Sequence, residues 1–146
     1  MAEQSIKDRI DEKIVEIEKF ISELHDLTPL ELDFEKYKCD LTTKAIFERY
    51  SEKIIEAIED LAFLIVNYKK LKYPEEEKEI FDTLKKSKII PDVLSERLKN
   101  AKGMRNVIAH QYGKIDDEVI FNSVTEEIEK DSEEFIRLIR LSVKAK

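Results

Sequence analysis

The first apolar residues of the chain recur every three or four positions, which is the period of one helix face. They are Ile6, Ile10, Ile14, Ile17, Ile21 and Leu24. This stripe predicts a long amphipathic helix over residues 3–25. Thr28 and Pro29 interrupt it, and Glu31 stands three positions after Thr28. The arrangement fits a capping box with Pro29 at the first helical position, which predicts one short helix there.

A second long helix is predicted over residues 41–71. Asp40 is its candidate N-cap, because an aspartate side chain accepts hydrogen bonds from the free N–H groups of a first turn. One side of its helical wheel carries Phe47, Tyr50, Ile54, Ala57, Ile58, Leu61, Ile65 and Tyr68. Tyr73 and Pro74 end it, since proline cannot continue a helix.

The helical pattern continues after this break. Residues 75–86 allow a short helix, whose apolar side consists of Ile80, Phe81 and Leu84. Pro91 opens the next helix, which is predicted to run to about residue 111 and to stop near Gly113.

Asp116 begins the last predicted helix. Its inward side consists of Val119, Ile120, Val124, Ile128, Phe135, Leu138 and Ile139. Amphipathic helices joined by short links predict an all-α fold, an antiparallel (up-and-down) bundle of four main helices plus a short helix. We expect residues 1–146 to form a single domain.

Composition argues against several other classes of protein. Two glycines and three prolines in 146 residues disfavour a turn-rich all-β fold, and 42% hydrophobic residues disfavour global disorder. A single cysteine, Cys39, excludes an internal disulfide and a cysteine-based zinc cluster. The sequence has no run of 18 apolar residues and begins without a signal-peptide pattern, so we expect a cytoplasmic protein with no membrane span.

The charge of the chain is unevenly distributed. The formal net charge is −7, yet residues 81–114 carry eight basic and three acidic side chains. A phosphate group feels the field within one Debye length, about 8–10 Å, more strongly than the distant total. Lys99, Lys102 and Lys114 are therefore candidate phosphate contacts, although a basic run also fits a solvated helix face.

One arginine departs from the amphipathic pattern. On a helical wheel Leu98 and Ile108 lie within about 40° of Leu94, and Arg105 lies within about 20° of it, inside the same apolar arc. An unpaired buried charge costs several kcal/mol, so this guanidinium must reach solvent or be paired. It is either a structural group paired with an acid of another helix or a group held at a cleft to bind phosphate.

His110 follows on the same helix, about 140° around from Arg105. A histidine at a helix C-terminus can be an ordinary surface residue that complements the helix dipole. An imidazole is also the side chain best suited to acid–base catalysis near neutral pH. Asn106 lies between the two, and Tyr112 stands just past the helix end, where its ring can cap the core with the hydroxyl in water.

Residues 105–112, RNVIAHQY, read R-x4-H-x-Y. This segment resembles the signature of the HEPN superfamily (higher eukaryotes and prokaryotes nucleotide-binding), specifically its HepT-like toxin branch. The second long helix, ERYSEKIIEAIEDLAFLI, is similar to the corresponding family helix, with acids at Glu56 and Asp60 where the family tends to carry them. Helix order and length also fit, so the resemblance covers essentially the whole chain.

The resemblance implies a HEPN-like bundle that forms a homodimer, with the two motifs facing each other in a composite active site. It implies a metal-independent endoribonuclease without a cofactor, which cleaves tRNA or mRNA and leaves a 2′,3′-cyclic phosphate. It also implies the toxin of a type VII-like HEPN/MNT toxin–antitoxin system. The antitoxin, a minimal nucleotidyltransferase (MNT), would silence the toxin by adding AMP to the motif tyrosine, here Tyr112.

The resemblance also assigns roles to individual residues. Arg105 and His110 would be catalytic, the first stabilising charge on the phosphorane and the second transferring a proton. Asn106 would orient the phosphate or hold the tautomer of His110. Glu56 or Asp60 would pair with Arg105 in the free protein.

Two other classes of function stay open at this point. The chain fits a noncatalytic helical interaction module that binds and regulates a nucleotidyltransferase, and it fits a helical bundle with no ligand site. A metal–carboxylate bundle is disfavoured, because paired E-x-x-H motifs are absent and His110 has no glutamate three residues before it.

Overall fold

The computed structural model describes residues 5–145, apart from the side chain of Tyr112. This part of the chain is all-helical, as predicted, and contains no strand. Its helices are α1 (Ile6–Leu27), α2 (Phe34–Lys38), α3 (Leu41–Tyr68), α4 (Ile80–Lys86), α5 (Asp92–His110), α6 (Asp117–Asn122) and α7 (Ile128–Ala145). Short 3₁₀ turns span Glu77–Glu79 and Tyr112–Lys114, and a π-helical turn, Ser123–Glu127, joins α6 to α7. The predicted start of the first helix at residue 3 lies outside the described residues.

The polar contacts between neighbouring helices show that these helices are antiparallel. Between α1 and α3, Lys13 lies 3.5 Å from Asp60, and the Tyr50 hydroxyl donates a hydrogen bond to Glu23. In each helix pair the residue numbers rise along one helix as they fall along the other. The same holds between α3 and α5 and between α1 and α7, where the pairs are Glu56–Arg105, Glu59–Lys102, Glu18–Arg140 and His25–Glu129. These are the contacts of an antiparallel, up-and-down bundle.

The core is built from the apolar faces that the sequence pattern identifies. The α1 stripe is buried from Ile10 to Leu24, and the largest fully buried side chains include Tyr37, Phe47, Phe81 and Phe135. The prediction that Val119 lies inside is wrong, because Val119 is 50% exposed. Ile120, which is also predicted inside, lies about 100° away on the helix and is buried.

Aspartate side chains cap the first turns of α3 and α6. Asp40 caps α3 as predicted, and its carboxylate accepts hydrogen bonds from the Thr43 hydroxyl (2.7 Å) and the Thr43 N–H (3.0 Å). The hydrogen bond from the hydroxyl lowers the pKa of Asp40. Asp116 caps α6 in the same way, through the backbone N–H groups of Glu118 and Val119.

The predicted capping box at Thr28 is wrong. Thr28 follows the last residue of α1, and its hydroxyl donates a hydrogen bond back to the carbonyl of Leu24 at 2.6 Å. Glu31 adopts a left-handed backbone with φ of 57°, which interrupts any helix through it. The short helix begins instead at Phe34, with Asp33 as its cap.

Two helices, α3 and α4, are each followed by a lysine in the left-handed conformation that glycine usually adopts. Lys70 and Lys88 have φ of 57° and 61°, and the next N–H in each case donates across the last turn, Leu71 to Val66 and Ile89 to Leu84. This is the Schellman arrangement. It ends α3 at Tyr68, three residues before the predicted boundary.

We expect Lys70→Gly to raise the free energy of unfolding by about 1 kcal/mol, because glycine adopts the left-handed conformation without a steric cost. Lys70→Ala is the matched control, since it removes the same side chain but keeps Cβ, and it should give no gain. Urea unfolding of the three proteins measures the difference. Equal stabilities for the glycine and alanine variants would contradict this account.

No helix within residues 5–145 combines the length and apolar character needed to cross a membrane.

Candidate functional site

Arg105 lies on the core side of α5 and is paired. Leu94, Leu98 and Ile108 on the same side are buried, and the Arg105 side chain is 22% exposed. Its Nη2 donates to Glu56 Oε1 at 2.9 Å, and its Nη1 donates to Asn106 Oδ1 at 3.1 Å. The Nε group is buried without an acceptor among the described residues. The guanidinium is therefore fixed in direction, and its buried Nε–H donor is unpaired within residues 5–145.

Of the two acids expected beside Arg105, only Glu56 is in contact with it. Asp60 stands one turn further along α3 and turns towards α1, where its carboxylate lies 3.5 Å from Lys13. The Asp60 side chain is 62% exposed. The single contact with Glu56 thus holds Arg105 against α3.

A second ion pair supports the first. Lys102 Nζ contacts the Glu59 carboxylate, and both side chains are largely buried, at 14% and 19% exposed. Glu59 lies one turn after Glu56 on α3, and Lys102 lies one turn before Arg105 on α5. Because the helices are antiparallel, the two pairs form consecutive rungs between α3 and α5.

The basic stretch of the sequence is largely neutralised within the fold. Lys99 lies 3.2 Å from Asp82, whose hydrogen bond raises the pKa of Lys99. Arg97 lies 3.9 Å from Asp131. Together with Lys102 and Arg105, every lysine and arginine of α5 has a carboxylate within 4 Å. In the free protein Lys99 and Lys102 are therefore each paired with a carboxylate, and their role as phosphate contacts stays a prediction.

His110 is exposed at the last residue of α5. The Gln111 N–H donates to the Val107 carbonyl at 2.8 Å and closes the final turn. No hydrogen bond joins His110 to Arg105 among the described residues, and the helix places them about 140° apart. The fold of a single chain therefore does not bring the guanidinium and the imidazole to the same face of α5.

The chain after α5 returns to the first turns of α3. Tyr112 and the exposed Lys114 bound the 3₁₀ turn. Asp117, at the start of α6, lies 2.9 Å from Lys44 of α3, and this hydrogen bond raises the pKa of Lys44. The segment that carries the motif is thus tied to α3 on both sides.

Sequence reasoning missed the partners Glu59 and Asp82. Once Glu56 is paired with Arg105 on antiparallel helices, Glu59 is the expected partner of Lys102. Glu59 lies one turn after Glu56, and Lys102 lies one turn before Arg105. Asp82 had no such signal, because the position of α4 against α5 depends on tertiary packing. Within residues 5–145, no three His, Cys, Asp or Glu side chains group as a metal site.

Known proteins with similar sequences and folds point to one family. The family described as Ribonuclease HepT-like matches residues 10–139. The mRNA nuclease HepT of Shewanella oneidensis is 27% identical over 135 residues, which cover 92% of this chain and 98% of that protein. A crystal structure of a toxin–antitoxin with AMP-PNP shares the fold with a TM-score of 0.80 and 26% identity, and the match covers 94% of this chain and 99% of the other. The tri-AMPylated HEPN toxin of Shewanella oneidensis, in complex with MNT antitoxin, gives a TM-score of 0.80 and 26% identity, with 95% and 99% of the chains covered.

We expect Lys102→Ala to lower the free energy of unfolding by about 2 kcal/mol, because it leaves a largely buried Glu59 carboxylate without a partner. The double variant Glu59→Leu, Lys102→Met should recover most of the loss, since an apolar pair carries no desolvated charge. Lys99→Ala is the control on the same helix, and its more exposed pair should contribute less than about 1 kcal/mol. Urea unfolding followed by circular dichroism provides the values, and equal losses for Lys99→Ala and Lys102→Ala would refute the supporting role of the second pair.

Proposed function

Because this chain belongs to the ribonuclease HepT-like family, we propose that it is a metal-independent endoribonuclease and the toxin of a HEPN/MNT toxin–antitoxin pair. The observation that carries the proposal is the Arg105 guanidinium, which Glu56 holds on the core side of α5, one and a half turns before an exposed His110. The substrate would be tRNA or mRNA in the cytoplasm. No cofactor is required for the chemistry.

RNA supplies its own nucleophile, and this makes a metal unnecessary. The 2′-oxygen attacks the adjacent phosphorus while its proton passes to His110 as general base. The bond from phosphorus to the 5′-oxygen breaks, the 5′-oxygen takes up a proton, and a 2′,3′-cyclic phosphate remains. A positioned imidazole contributes typically 10²–10⁴-fold to such a step.

Arg105 would stabilise the negative charge that develops on the phosphorane oxygens. In the free protein Glu56 occupies its Nη2 and Asn106 its Nη1, so the guanidinium is already oriented. An incoming phosphate would replace the Glu56 carboxylate as the partner, since both present oxygens to the planar fork of the arginine. Asn106 would then keep the guanidinium in place or orient the phosphate.

The active site would be formed by two subunits. Within one subunit Arg105 and His110 lie on different faces of α5, so the two side chains would not both contact one phosphate. A two-fold axis beside the ends of α5 would place the arginine of one subunit opposite the histidine of the other. The homodimer would then carry a composite active site with two copies of each group.

The partner would be an MNT antitoxin that adds AMP to Tyr112. The phenol oxygen would attack the α-phosphorus of ATP, pyrophosphate would leave, and the phenol proton would be released. The attached phosphate would compete for Arg105, and the nucleoside would fill the cleft. The similar Shewanella oneidensis toxin, which is AMPylated and bound to MNT antitoxin, supports this assignment.

We expect the purified chain to cleave tRNA or mRNA in the presence of EDTA. Arg105→Ala and His110→Ala should each lower the cleavage rate at least about 100-fold, because each removes a group that acts on the transition state. His25→Ala is the matched control, since it alters the only other histidine and lies outside the site. Absence of cleavage by the folded wild-type chain would favour the noncatalytic module that binds a nucleotidyltransferase.

A second prediction concerns modification. Incubation with an MNT antitoxin and ATP should add AMP to Tyr112, and Tyr112→Phe should abolish the adduct, because it removes the acceptor oxygen. Tyr73→Phe, which removes the hydroxyl of a half-exposed tyrosine outside the motif, should leave the adduct unchanged. Intact-mass and peptide mass spectrometry measure both, and adducts that persist in Tyr112→Phe would contradict the assigned acceptor.

A further inference from the structure

Three ion pairs fix how the motif segment lies along α3. Going towards the start of α3, Glu59 contacts Lys102, Glu56 contacts Arg105 and Lys44 contacts Asp117. The partner residues follow in rising order along the chain. The end of α5 and the turn after it therefore lie beside the part of α3 between residues 44 and 56.

Arg49 lies in this part of α3. It is seven residues before Glu56, which is two turns, so it projects within about 20° of Glu56 and stands about 10 Å along the helix from it. His110 lies about 7–8 Å beyond Arg105 along α5, which is also towards the start of α3 because the two helices are antiparallel. Arg49 is thus on the same face of α3 as Glu56 and at the level of the motif's end.

Arg49 is also the one cation of α3 without a partner among residues 5–145. Lys44 is bound to Asp117, and the Lys53 ammonium lies over the rings of Phe20 and Tyr50, 4.5 and 4.4 Å from their centroids. No carboxylate of the described chain lies within 4 Å of the exposed Arg49 guanidinium. Because Arg49 is exposed, its five donors are accessible to a ligand from solvent.

We propose that Arg49 binds a backbone phosphate of the RNA next to the scissile one. This inference rests on the proposed ribonuclease function and adds a substrate-binding residue outside the motif. The planar fork of an arginine matches two phosphate oxygens, and an arginine without a protein anion needs no displacement before it binds. Lys99 and Lys102, which the sequence suggested for this role, are already held by carboxylates.

The test measures RNA binding without cleavage, in the full-length His110→Ala chain. Fluorescence anisotropy of a labelled single-stranded RNA oligonucleotide, repeated over a range of salt concentrations, gives the affinity and its salt dependence. Adding Arg49→Ala should weaken binding about tenfold and reduce the slope of log affinity against log salt by about 0.7, the value for one phosphate contact on a single strand. Arg49→Lys should restore the slope, because it keeps the charge.

Arg9→Ala is the matched control, since Arg9 is an exposed helical arginine of α1 near the opposite end of α3, and it should change neither quantity. With His110 present, Arg49→Ala should raise KM for the same RNA and leave kcat within about twofold. An Arg49→Ala slope equal to that of its parent would overturn the inference while the ribonuclease function stands. A loss that Arg49→Lys does not restore, or a lowered melting temperature, would also overturn it. A His110→Ala parent that binds no RNA and a wild-type chain that cleaves none would reject the function itself.

Discussion

A guanidinium on the core side of a helix needs an anion, and the position of the motif in this fold depends on that need. Arg105 is mostly removed from solvent, and Glu56 supplies the carboxylate at 2.9 Å. Leaving such a charge unpaired costs several kcal/mol, so α5 is held against α3 in the register where the two groups meet. The neighbouring pair of Glu59 and Lys102 reinforces the same register.

This register also determines where positive charge is available. The stretch from residue 81 to 114 is basic in sequence, but acids of α3, α4 and α7 neutralise the cations of α5. An acidic protein with a net charge of −7 then has little general attraction for RNA. Recognition would depend on a few placed groups, Arg105, His110 and Arg49, and on the shape of the substrate.

The sequence predicted the features of the fold that depend on local periodicity. The main helices, the buried stripe of α1 and the Asp40 cap follow from residues that are close along the chain. The pairing of Arg105 was also predictable, because a charge inside an apolar arc has few alternatives. Its partner could be narrowed to Glu56 or Asp60, and packing against α1 decided between them by drawing Asp60 towards Lys13.

The features that sequence reasoning got wrong or missed depend on backbone geometry or on distant contacts. Lys70 follows α3 in a left-handed conformation that glycine usually adopts, so no residue pattern marked the end of α3 three residues before the predicted boundary. Thr28 has the residue type of a cap but bonds backwards to Leu24. The role of Tyr112 came only from the family resemblance, since a tyrosine past a helix end carries no chemical signal of its own.

The central claim is that Arg105 of one subunit and His110 of the other act on the same phosphodiester. Its most direct measurement mixes two inactive chains, Arg105→Ala and His110→Ala, under conditions that exchange subunits, and then follows RNA cleavage. A mixed dimer retains one intact pair across the subunit boundary and none within a subunit. We predict that mixing restores cleavage well above either parent, and a mixture as inactive as its parents, with subunit exchange verified, would contradict the composite site.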